Sequence, residues 1–208
     1  MRGLKNFIKD KLFNNYTIIE EAIAPDEILV RYVFSDDFKG KNVLVEKIIT
    51  KNLFGPLRGG TSLQRERYCN EDQCNELGNR IPNKELVGFL IFIKDDFEKI
   101  KDDFIKSNEN AGTGIILDAL IKATPLDESF NILDFKKVKI TTDTKGNPAH
   151  ADIIYLKPEL IPNNVSRYEK PNTTIRSFSK KMFITSNLVL NQSKDKSVFL
   201  GSKFSEFY

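Results

Sequence analysis

The chain has one histidine, His150, set in Asn147-Pro148-Ala149-His150-Ala151-Asp152. Imidazole is the only side chain that titrates near neutral pH without help. On a strand, His150 and Asp152 fall on the same face, where a carboxylate would orient the ring or raise its pKa. A His beside a Gly/Pro loop serves as a general acid or base, or as a phosphate contact. It serves equally as a strand-end residue bonded to its own turn.

A second candidate is Arg58-Gly59-Gly60-Thr61-Ser62-Leu63-Gln64-Arg65-Glu66-Arg67. The glycines allow close backbone approach to a ligand. Arg58, Arg65 and Arg67 offer planar donor forks suited to phosphate or carboxylate, and Ser62 offers a hydroxyl. The segment lacks the Gly-Lys-Ser/Thr ending of a phosphate-binding Walker loop, and it is not a Rossmann fingerprint. The alternative is a hairpin loop followed by an exposed basic strand. Arg31 is the third candidate, because it interrupts the apolar run Ile28-Leu29-Val30-Arg31-Tyr32-Val33-Phe34. A charge there must be paired, lie at an edge or hold a ligand. Arg176 and Lys180 add a secondary basic face on a helix near the C-terminus.

Three islands, Arg31-Tyr32-Val33-Phe34-Ser35, Ser62-Leu63-Gln64-Arg65 and His150-Ala151-Asp152-Ile153, resemble a pattern found in small uncharacterised bacterial proteins. That pattern reads Arg-aromatic-x-Phe-Ser, Ser-x-x-Arg and His-Ala-Asp/Asn-Ile. No activity attaches to the group. The resemblance implies only that Arg31, Ser62, Arg65 and His150 belong to one site. ADP-ribosyltransferases share an early Arg and a Ser/Thr stretch, but Thr61-Ser62 is not their full Ser-Thr-Ser element, and Glu66-Arg67-Tyr68 is not their Glu-x-Glu. The paired carboxylates Asp95-Asp96 and Asp102-Asp103 ride a solvated helix face, which argues against a metal-dependent nuclease.

Composition narrows the field further. The chain has 208 residues, 40 % hydrophobic and 29 % charged, a globular balance. Its core must rest on Phe, since there are 16 Phe and no Trp. Frequent Lys, Asn, Ile and Phe point to AT-rich coding and a bacterial or phage origin. The net charge of +3 is too small to announce nucleic-acid binding. Residues 157–208 nevertheless carry nine basic and four acidic groups. Cys69 and Cys74 form no disulfide framework, and with a single His they do not make a zinc site. No metal and no cofactor is expected. The N-terminus lacks a signal-peptide h-region, and the longest apolar run, Leu86 to Ile93, is far short of a membrane span of about 20 residues. A cytoplasmic location and no membrane partner follow as expectations.

These groups need elements to position them. Apolar residues at helical spacing predict a helix over 3–14. A strand is expected from Ile28 to Ser35, and Val43 to Leu53 fits either strand or helix. Asn70 and Gln73 form a capping box for a short helix that Gly78 should stop. Leu86 to Lys94 reads as a buried strand, followed by a helix over 95–106 capped by Asp95, with Phe97, Ile100, Phe104 and Ile105 inward. A strand over 115–124 and a hairpin of 137–142 with 151–156 come next. Asn172 or Thr173 caps a last helix with Ile175, Phe178, Met182 and Phe183 inward. Together these make an α+β fold, a mostly antiparallel sheet with three or four amphipathic helices packed on it. The expected organisation is one domain over 1–190 and a C-terminal tail over 191–208, folded back or partner-binding through Phe199, Leu200, Phe204, Phe207 and Tyr208.

Three functions fit. The first is a protein binding an anionic, phosphate-bearing ligand, a nucleotide or nucleic acid. The second is a non-catalytic interaction subunit of a bacterial defence or accessory complex. The third is a metal-free enzyme with His150 as general acid/base.

Overall fold

The computed structural model describes residues 17–57, 59–114, 116–158 and 166–190. The expected helix over 3–14, Arg58 and the tail over 191–208 lie outside the described residues.

Six strands form one antiparallel sheet in the order β4-β5-β2-β1-β3-β6, and the fold is α+β. The strands are β1 (Ile28–Phe34), β2 (Thr61–Arg65), β3 (Leu86–Ile93), β4 (Asp118–Ala123), β5 (His150–Leu156) and β6 (Asn187–Leu190). The helices are the single turn α1 (Thr50–Leu53), then α2 (Glu71–Asn79), α3 (Lys94–Asn110) and α4 (Thr173–Thr185). No helix among the described residues is long and apolar enough to cross a membrane.

β3 is an almost unbroken apolar run because both of its faces are covered, as in any strand central to two packed layers. One face packs α3 and α4 around Phe178. That ring meets Phe97 and Phe104 edge-on at 5.7 Å and Tyr155 at 6.4 Å. Burying such a Phe contributes about 1.5–3 kcal/mol by transfer alone. The expected stripe on α3 holds: Phe97 and Phe104 are buried, and Ile100 and Ile105 pack at the margin. The other face carries Val30, Tyr32, Phe34, Phe89 and Ile91 against α2, with Cys69 and Cys74 beneath. Those cysteines are buried thiols whose sulfurs touch at 2.8 Å.

The capping box at Asn70 forms as expected, Gln73 N donating to Asn70 Oδ1 at 2.9 Å and Asn70 N to Gln73 Oε1 at 3.1 Å. Asn172 caps α4 by accepting from Ile175 N at 2.8 Å. Other expectations need correction. α3 begins at Lys94, and Asp95 lies in its first turn rather than at the cap, where the helix dipole still favours a carboxylate. Gly78 sits inside α2, packed against Leu86 and Tyr32, and does not end it. The segment 137–142 is no hairpin partner of β5. It bonds to the chain near residue 18 instead, Ile19 N donating to Ile140 O at 3.0 Å, while β5 pairs with β4 and β2. Val43 to Leu53 resolves into a 3₁₀ turn and α1.

Candidate functional site

The β1–β2 ladder is short. Leu29 registers with Arg65 and Val30 with Gln64, and there the pairing ends. β1 continues along β3, and β2 continues along β5, so the two strands part beyond Val30. A cleft of about 610 Å³ opens at this point, lined among others by Arg31, Tyr32, Ser62, Gln64, Asn147 and His150. That volume lies within the range of small-molecule sites. Gly60 keeps one wall thin, since a Cβ there would meet the Asp152 carboxylate at 2.8 Å. Gly146, at φ +100, turns the opposite wall where only glycine fits, because a Cβ would lie 2.3 Å from Leu126 O.

Arg31 stands where the strands part, 8 % exposed. Its Nε donates to Leu53 O at 3.2 Å. That carbonyl is well placed because the next residue is tied down, Tyr155 Oη donating to Phe54 O at 2.6 Å and Phe54 N to Ser179 Oγ at 3.0 Å. No described carboxylate forms an ion pair with Arg31. Burial pulls its pKa below the usual arginine value, and the Asp37 and Asp152 charges act the other way. Both carboxylates are engaged locally, Asp37 with Phe34 N at 2.8 Å and Asp152 with the Thr124 hydroxyl at 2.8 Å.

Three side-chain oxygens around the cleft are buried without a hydrogen bond: Tyr32 Oη, Gln64 Oε1 and Asn147 Oδ1. Gln64 is 1 % exposed and Tyr32 4 %. Buried polar groups are normally satisfied, so three such orphans among the described residues beside one cleft are unusual. Burial also raises the Tyr32 pKa, and its hydroxyl stays a proton donor at any physiological pH. The outer wall is apolar, with exposed Leu57, Ile81 and Phe130.

Of the residues expected to share a site, Arg31, Ser62 and His150 line this cleft, and Arg65 does not. Arg65 is fully buried, with Nε 2.6 Å from Glu27 Oε1 and Nη2 2.9 Å from Glu27 Oε2. It donates further to the carbonyls of Glu20 and Ala22 and lies over the Tyr68 ring. Four of its five N–H donors bond described residues inside the fold, so it is a structural pin. The ladder explains the swap: Arg65 closes β2 opposite Leu29, on the sealed side of the split. Arg67 is exposed beside Glu20 at 3.3 Å, away from the cleft. Arg176 and Lys180 are exposed on α4 and do not line it either. Gln64, Asn147 and Tyr32 were not expected as site residues. Alternation along β2 places Gln64 on the face of Ser62, but no sequence pattern shows that its amide lacks a partner.

Among the described residues no group of three or more His, Cys, Asp and Glu is arranged to hold a metal. Comparison with known protein families, with curated proteins and with solved structures finds no match for this chain.

Proposed function

We propose that this protein binds a small phosphate-bearing ligand, of the size of a nucleotide, in the cleft between β1 and β2. The observation that carries this is Arg31, a buried guanidinium lining the cleft, with a single hydrogen bond and no ion pair among the described residues. A buried charge without a counter-ion costs several kcal/mol, and an anionic ligand removes that cost. The apolar outer wall suits the flat body of a base.

Charge at the rim favours a compact ligand over a nucleic-acid strand. Arg80 is paired with Glu76 and Lys84 with Asp36, while Asp127 and Glu128 add negative charge nearby. Long phosphate backbones need a continuous basic track. The buried thiols Cys69 and Cys74 fit a reducing compartment, so the cytoplasm is the proposed setting.

Calorimetry with AMP, inorganic phosphate and adenosine tests the proposal. AMP should bind and adenosine should not. Arg31→Lys, which keeps the charge and loses the fork, should weaken AMP by roughly 10–100-fold with the thermal midpoint little changed. Undiminished AMP affinity in Arg31→Met would remove Arg31 as the anchor.

A further inference from the structure

The hydrogen bonds around His150 fix its tautomer. The Thr124 carbonyl lies 3.0 Å from Nδ1, and a carbonyl only accepts, so Nδ1 carries the proton. The Thr124 hydroxyl also lies 3.0 Å from Nδ1, but its own proton goes to Asp152 Oδ2 at 2.8 Å. The neutral ring therefore keeps its lone pair on Nε2, which makes no hydrogen bond to any described residue. His150 is 7 % exposed and lines the cleft. Desolvation lowers its pKa, Asp152 at 3.8 Å partly offsets this, and Arg31 lowers it further. The remaining groups beside the ring, Gln64 from β2 and Thr124 just past the end of β4, are uncharged. An imidazole with Nδ1–H tied back and Nε2 open is the arrangement of a general base.

Gln64 stands directly opposite His150 in the β2–β5 register, and its Oε1 has no partner. Arg31 is the cleft's unpaired cation among the described residues, since Arg80 and Lys84 are neutralised at the rim. One unpaired positive charge matches the single negative charge of a phosphodiester.

We propose that the cleft hydrolyses a small phosphodiester, with His150 as general base toward the attacking water and Arg31 as the clamp on the phosphoryl oxygens. This rests on the anion site at Arg31 proposed above. The water oxygen bonds to phosphorus as Nε2 takes its proton. The bond from phosphorus to the leaving oxygen breaks, and that oxygen keeps the electron pair. It then receives the proton from Nε2, which gives a phosphomonoester and an alcohol and restores the neutral ring.

The test uses the full chain and bis(p-nitrophenyl) phosphate, followed by release of p-nitrophenolate. The rate should rise with pH to a plateau with its half-point below 6.5, the ordinary His value. His150→Gln should lower it by at least about 100-fold. Because the chain has one His, carbethoxylation by diethyl pyrocarbonate reads Nε2 alone in the unaltered protein, and AMP should slow it. A wild-type rate no higher than that of His150→Gln, or a His that resists the reagent, overturns the catalytic proposal and leaves the anion site standing. Absence of AMP binding to the wild type overturns the anion site itself.

Discussion

Arg31 and Arg65 are the same residue type on neighbouring strands, and their surroundings give them opposite roles. Arg65 has a buried carboxylate, two carbonyls and an aromatic ring, so four of its five donors are spent inside the fold. Arg31 has one carbonyl and open space. Replacing Arg65 by Met strands Glu27 in the interior, with side-chain exposure of only 2 %, and should cost about 3–5 kcal/mol in urea unfolding. The double variant Arg65→Met/Glu27→Leu should recover much of that loss, because no buried charge remains. His150 makes a pH-dependent contribution of defined sign. Its folded pKa lies below the unfolded value near 6.5. Above pH 6.5 neither state binds the proton, and the contribution is complete. As pH falls through 6.5 the unfolded chain takes up a proton that the folded chain refuses, and stability declines until the folded pKa is reached. The stability difference between wild type and His150→Gln, measured from pH 8 to pH 5, should shift against the wild type across that window. A constant difference would show that the ring is not held neutral.

At the level of elements, the Phe cluster shows where sequence periodicity suffices. Phe178 is fully buried and touches three aromatic rings from α3 and β5, so Phe178→Ala should destabilise by roughly 3–5 kcal/mol. Chemical unfolding measures this, and a loss under about 1 kcal/mol would mean that the α3–α4 layer does not depend on it. The α3 stripe, the α4 stripe and the two Asn caps are local signals, and the sequence carries them plainly. Strand partners are not local. Segment 137–142 alternates like a strand, yet β5 is occupied on both edges by β2 and β4, and only the tertiary fold decides that competition. The same limit applies to the site. Arg31 was visible as a charge in an apolar run, and His150 as the lone imidazole. Arg65 was misassigned because its partner Glu27 lies 38 residues away, and no spacing rule links the two.

Taken as a whole, the sheet is two three-stranded leaves, β4-β5-β2 and β1-β3-β6, bound along a narrow spine of two registered pairs. The Arg65–Glu27 pair is the stitch at the closed end of that spine, beside Leu29. Interior strands normally share a full ladder, and the hydrogen bonds absent here are stiffness that the molecule does without. Across this seam the two leaves are joined less by the ladder than by the core, where Phe178 touches Tyr155 of one leaf and the α3 rings packed on the other. A ligand bridging Arg31 on one leaf and Ser62 on the other would replace the missing rungs. Deuterium uptake over 31–38 and 61–64 should then slow with saturating AMP, while β3 stays unchanged. The bound molecule would serve as part of the sheet, so the protein's rigidity would report directly on occupancy.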